Sequence, residues 1–166
     1  MNDRIMLDVN AMMAEYVGPR GIEREALNEL LPELKKAHAA VEQGRGKDMQ
    51  GWMDLPYNQE DVLTKIEAKA AQIRERFDAF VVLGIGGSAL GPAAVQQALN
   101  HLHYNELPAE KRGGPRLYIE DNIDPERIAA LLDVVDLKRT CFNVITKSGG
   151  TAETMSQYLI ITDLLK

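Results

Sequence analysis

The sequence predicts an α/β protein: an incomplete, doubly wound parallel sheet of three strands in the order 2-1-3, preceded by a helical N-terminal segment. Three observations carry this reading. Up to about residue 77 the apolar residues recur at helical spacing; from 78 to 166 a strand, a loop and a helix follow one another three times. Strands that alternate with helices lie parallel and join through right-handed crossovers. Finally, the loops after the first and third strands are both glycine-rich and both open a helix. In the order 2-1-3 these loops are neighbours whose helices lie on opposite faces.

The elements follow in chain order. Leu27, Leu30, Leu31, Leu34 and Val41 mark one face of helix from about Glu23 to Gln43. Pro32 leaves two forms open, one kinked helix or two helices with Pro32 starting the second. Gly44 and Gly46 end this stretch, and 44–57 reads as a loop anchored by Trp52, Met53 and Leu55. Asn58 is the expected cap of a helix with the core stripe Val62, Ile66, Ala70, Ile73 and Phe77. The run 79–83 (AFVVL) is apolar throughout, as in a strand buried on both faces. A helix is expected over 89–102, then a polar loop over 104–115 and a second strand over 116–120. Asp124-Pro125 starts the next helix, with an acidic cap and proline at its first position, to about Leu132. The third strand is read over 141–145 and the last helix from Thr151 onward, with Met155, Leu159, Ile160, Leu164 and Leu165 to bury.

Composition excludes several classes. The chain has 166 residues, 45% apolar and 27% charged, which argues against disorder. Its one cysteine, Cys141, excludes a disulfide scaffold and reads as a buried reduced thiol. No stretch looks like a membrane span, and the charged N-terminus does not look like a secretion signal, so the cytoplasm is expected. The net charge of −6 speaks against a non-specific nucleic-acid binder, although a few oriented amides can hold a small anion on an acidic protein. No metal or cofactor is expected; Asp121 and Asp124 resemble a metal cluster only superficially, since Asp124 reads as a cap.

The chemistry candidates lie at the C-terminal ends of strands one and three. In Gly84-Ile85-Gly86-Gly87-Ser88 the missing side chains let a ligand approach the backbone, and the helix that follows points free N–H groups at it. In Thr146-Lys147-Ser148-Gly149-Gly150-Thr151 the same geometry carries three hydroxyls and an ammonium. Converging donors of these types suit the oxygens of a phosphate monoester. Ser88 and Thr151 have a plainer alternative as helix N-caps, and Glu153 favours the helix dipole in any case. The pattern Gly84-x-Gly86-x-x-Ala89 nearly matches a dinucleotide fingerprint, which wants an acid about 20 positions on. Glu120 stands 36 residues on, beyond a long loop, which disfavours a dinucleotide. A Walker A loop needs Gly-Lys-Ser/Thr entering the helix, whereas Lys147 precedes the glycines.

These residues resemble a known family. The segment 83–91 (LGIGGSALG) is similar to the first signature of the glucose-6-phosphate isomerases, and 122–125 (NIDP) to that family's segment after the second strand. The segment 146–153 (TKSGGTAE) resembles its phosphate loop, and 52–56 (WMDLP) a stretch that precedes the domain in bacterial members. The resemblance implies a sugar isomerase (SIS) domain of flavodoxin-like order and interconversion of glucose 6-phosphate and fructose 6-phosphate. It implies that Ser88, Thr146, Lys147, Ser148 and Thr151 bind the substrate phosphate. Gly86 and Gly87 would line the substrate and Glu153 support the site. Thr146 stands where the family usually has Ser, Gly150 where a hydroxyl residue is common, and Ala152 where a polar residue is more usual.

The implied mechanism opens the sugar ring and moves a proton between C1 and C2 through an enediolate. A glutamate acts as base, helped by an arginine, a histidine and a lysine. None of these lies within the matched motifs, so the chain is expected to hold the phosphate without the catalytic base. The expectation is an N-terminal fragment: a helical segment at 1–77 and the first half of a SIS domain at 78–166. The third strand would then be left as an open edge. The full-length enzyme is expected to be a homodimer. A non-catalytic sugar-phosphate sensor would use the same loops and is the alternative.

Overall fold

A computed structural model describes residues 6–57 and 59–166. The chain divides into two compact units, one ending at Asp61 and the other beginning at Val62.

In the first unit a short helix α1 (Ala14–Val17) doubles back through Gly18, whose φ of +80° favours glycine. This lets Ile22 bridge Met13 in parallel, with Ile22 N–H donating to Met12 O at 2.8 Å. Gly21 is needed at this crossing, because a Cβ there would meet the Ala14 backbone at 2.4 Å. Helix α2 (Arg24–Gly44) is continuous through Pro32, which settles the two alternatives as one helix. Its stripe is not a core face: Leu30, Leu31, Leu34 and Val41 are exposed. The expected anchors also fail, since Trp52 and Leu55 are exposed and Met53 only half-buried. Residues 48–54 form a 3-10 turn, held by Arg45 Nε donating to Asp54 Oδ1 at 2.7 Å and by the Arg45 guanidinium over the Tyr57 ring. A charged side chain anchors this segment where apolar ones were expected. The expected cap Asn58 lies outside the described residues.

The second unit is built on a three-stranded parallel sheet in the order β2-β1-β3, as the sequence predicts. Helix α3 (Glu60–Arg76) leads into β1 (Ala79–Leu83). Helix α4 (Gly87–Leu99) and a short turn α5 (Ala109–Arg112) precede β2 (Arg116–Glu120). Helix α6 (Pro125–Val134) precedes β3 (Thr140–Val144), and α7 (Ala152–Leu164) follows it. The central β1 has four of five residues buried. On one sheet face Ala79, Val81 and Leu83 pack with Leu131 of α6, Val135 at the end of that helix and Ile161 of α7. Phe80, on the other face, lines a cavity together with α3 and α4.

Several boundaries differ from expectation. Helix α4 starts two residues early because Gly86, at φ +57°, turns the chain into it; it ends at Leu99, and Leu102 is exposed. The third strand begins at Thr140, whose hydroxyl donates to Asp136 O at 2.6 Å, so a residue that reads as polar is buried. The buried face of α7 is Thr154, Gln157 and Ile161, while Leu159, Ile160, Leu164 and Leu165 are exposed and Met155 half-buried. In α3 the stripe is half right: Val62 and Ile66 are exposed, and Ala70, Ile73 and Phe77 are partly buried. Cys141 is half-buried, and its burial pushes the thiol up from its ordinary value.

The outer edge of β2 is satisfied from a loop. Asn105 donates to Leu117 O at 2.6 Å and accepts from Leu117 N–H at 2.7 Å, copying a strand partner. Among the described residues no strand covers the outer edge of β3.

These contacts support two predictions. The Asp124 side chain accepts from Glu126 N–H at 2.9 Å with Pro125 behind it, so Asp124→Ala should lower stability by about 1 kcal/mol in urea unfolding. Glu120 is buried, and desolvation raises its carboxyl above the ordinary value against the pull of Arg127. A carboxyl raised in the folded state contributes stability below its unfolded value and loses it as pH rises through the folded one. Urea unfolding between about pH 4 and about pH 7 should therefore show Glu120→Gln losing less stability with rising pH than the parent chain.

Candidate functional site

The two glycine loops meet at the C-terminal ends of β1 and β3. Ile145 N–H donates to Leu83 O at 2.9 Å, which carries the pairing one residue past the strands. Beyond it, Gly84 runs so close to both loops that a Cβ would stand 3.0 Å from Ser88 Cβ and 3.1 Å from Ile145 O. A side chain here would force one of the two loops to give way. Gly86 then makes the sharp turn into α4, with Ala89 N–H on its carbonyl at 3.0 Å.

The result is a pocket of about 390 Å³. Ile85, Gly87 and Ser88 line it from the β1 side, Ile145, Thr146 and Lys147 from the β3 side, and Thr151 and Thr154 from the start of α7. It opens at the switch point, between helices that leave on opposite faces, where open parallel sheets bind ligands. Its polar lining residues are three threonines, one serine and one lysine; no carboxylate-bearing residue is among the lining residues. The N-terminal amides of α4 and α7 add partial positive charge. Hydroxyl and ammonium donors of this kind are complementary in charge and hydrogen bonding to an oxyanion.

The cap alternative is settled by position. The N-cap of α4 is Gly86, so Ser88 is the second residue of the helix rather than its cap. Thr151 does hold the N-cap place of α7, but its side chain makes no capping bond. Both residues line the pocket.

Of the residues expected at the site, Ser88, Thr146, Lys147, Thr151 and Gly87 come together, and Gly86, Ser148 and Glu153 lie outside the lining. Ser148 shapes the loop, its Oγ accepting from Gly150 N–H at 3.2 Å, while Thr146 Oγ1 accepts from Gly149 N–H at 3.1 Å. Gly149, at φ +73°, closes this turn. Glu153 is half-buried in the first turn of α7. Glu120 faces Arg127, whose Nε donates to its Oε2 at 3.2 Å while Nη1 donates to Asp121 Oδ1 at 2.8 Å. Among the described residues no cluster of three or more metal-ligating side chains occurs, and no helix is long and apolar enough to cross a membrane.

Thr154 is the polar lining residue that sequence reasoning missed, beside the apolar Ile85 and Ile145. Its signal was the spacing Thr151-x-x-Thr154, which puts two hydroxyls on one face of a helix start. A second cavity, about 890 Å³, lies between α3, α4 and the Phe80 face of the sheet. It is larger, but it lacks the convergence of hydroxyls and helix starts that marks the switch point.

Comparison with known proteins bears on the same residues. The sequence model of one family, Phosphoglucose isomerase, matches residues 61–166. A glucose-6-phosphate isomerase of Carboxydothermus hydrogenoformans is 48% identical over 98% of this chain, and one of Rubrobacter xylanophilus is 40% identical over 87%. The chain covers 35% and 32% of those two proteins, about a third of their length. A crystal structure of a hypothetical protein from Thermus thermophilus superposes with a TM-score of 0.64 at 36% identity, over 86% of this chain and 32% of that one.

The close passage at Gly84 yields a prediction. Gly84→Val should push the β1 loop off Ser88 and Ile145, lowering stability by roughly 1–3 kcal/mol in urea unfolding. The amide resonances of residues 85–88 and 145–147 should shift together.

Proposed function

The chain belongs to the phosphoglucose isomerase family, and we propose on that premise that its switch-point pocket holds the phosphate of a hexose 6-phosphate. The observation that carries this reading is the donor set: hydroxyls of Ser88, Thr146 and Thr151, the Lys147 ammonium and the starts of α4 and α7 around one pocket with no carboxylate lining it. A phosphate monoester near neutral pH is close to a dianion with three acceptor oxygens. Each oxygen can take more than one N–H or O–H donor, and charge-assisted bonds of this kind are about twice as strong as neutral ones. Thr146 can donate its hydroxyl hydrogen to such an oxygen while its lone pair accepts from Gly149 N–H, so one side chain both closes the loop and binds. Ser148, outside the lining, serves the loop, and Glu153 supports it from behind.

The whole enzyme would interconvert glucose 6-phosphate and fructose 6-phosphate, and this chain would supply the phosphate grip without the catalytic base. Two facts support the second half. Glu120, the buried acid nearest the end of β2, is held by Arg127, and Glu153 lies outside the pocket lining. In the same reading, residues 78–166 are the first half of a SIS domain preceded by a helical segment at 1–77. The complete protein would be a cytoplasmic homodimer.

Titration of the isotope-labelled chain with fructose 6-phosphate should shift the amides of residues 86–88 and 146–151, and a coupled assay should detect no turnover above a contaminant control. Ser88→Ala and Thr146→Ala should each weaken binding about tenfold, as loss of a charge-assisted hydrogen bond does. A preference for NAD over the sugar phosphate in the same titration would overturn the reading.

A further inference from the structure

Helix α7 carries a polar group that the phosphate grip described above does not use. Thr154 is 1% exposed, and its Oγ1 has no hydrogen-bond partner among the described residues. It stands one turn after Thr151 and lines the same pocket. A buried hydroxyl without a partner destabilises the fold that contains it, and a valine would fill nearly the same space with no polar atom to desolvate. At this place the helix start and Lys147 favour negative charge, so the missing partner is an acceptor carrying that charge.

The neighbouring orphan on α7 has a different part. Gln157 is also buried with Oε1 unpartnered, but its Nε2 donates to Asn122 O at 2.8 Å and Glu120 O at 3.2 Å. It ties α7 to the end of β2 and does not line the pocket.

We propose that Thr154 is a further ligand-binding residue of the oxyanion site. Its hydroxyl donates to a phosphate oxygen once the anion is seated and the 146–151 loop settles against α7. The proposal rests on the phosphate reading above and deepens it: the innermost donor of the site destabilises the free chain and is satisfied by the ligand. Thr151 and Thr154, three residues apart on one helix face, would then contact the anion from its rim and its floor.

The test compares Thr154→Val and Thr154→Ser in the full 166-residue chain, by thermal melting without ligand and by amide-shift titration with inorganic phosphate and with fructose 6-phosphate. Thr154→Val should melt about 2–4 °C above the parent and bind both ligands about tenfold more weakly. Thr154→Ser, which keeps the hydroxyl, should bind within about twofold of the parent. A residue with only a structural role would not couple a gain in melting temperature to a loss in affinity. A Thr154→Val chain that melts below the parent, fails to fold, or binds both ligands as the parent does overturns the assignment and leaves the phosphate reading standing. A parent chain that shows no shift with either ligand overturns both.

Discussion

Everything in the second unit depends on β1 lying between two parallel strands and leaving them through Gly84. A strand with partners on both sides and helices on both faces must be apolar along its length, and 79–83 is. The polar work of the protein is thereby pushed to the ends of the strands. At the C-terminal end the chain needs a way out that does not collide with β3, and at Gly84 a Cβ would come within about 3 Å of both neighbours. The passage that lets β1 leave the sheet also brings the two loops together. Fold and site share one constraint.

That constraint explains how a chain with a net charge of −6 can offer an anion a favourable place. The excess of acids lies elsewhere, and the acid closest to the end of β2 is neutralised locally by Arg127. What faces the pocket is hydroxyl, ammonium and helix start. Net charge governs long-range approach, whereas a bound phosphate responds to groups within hydrogen-bond reach. The mean charge of a chain is therefore a poor guide to whether one of its pockets suits a small anion.

Much of this could be read from the sequence, and the parts that could not share a cause. Strand existence, strand order and the cap Asp124-Pro125 come from local chemistry: an apolar run, glycine-bounded loops, an acid before a proline. Four of the five residues expected on the phosphate and one lining glycine meet because they sit in the two loops that the order 2-1-3 makes adjacent. Burial was less legible. Periodicity marks an apolar stripe on α2 and on α3, but whether a stripe is covered depends on what lies opposite it, and Leu30, Leu34 and Ile66 are exposed. On α7 the apolar residues suggested one buried face, while the sheet receives Thr154, Gln157 and Ile161. A hydrophobic stripe cannot announce a face whose buried residues include a threonine and a glutamine.

That polar face is the most informative departure from ordinary packing. Two buried side chains on consecutive turns of α7 each leave one atom without a partner among the described residues, although native interiors pair nearly all such groups. Gln157 has a compensating task, since its amide joins α7 to the carbonyls at the end of β2 and fixes the helix across the sheet. The tie lies one turn beyond Thr154, so it anchors the part of α7 that carries this residue at the pocket. A rigid support and an unsatisfied donor are complementary features. The support anchors the helix at the end of β2, and under the proposed assignment the donor keeps its hydrogen bond for a charge that arrives from outside.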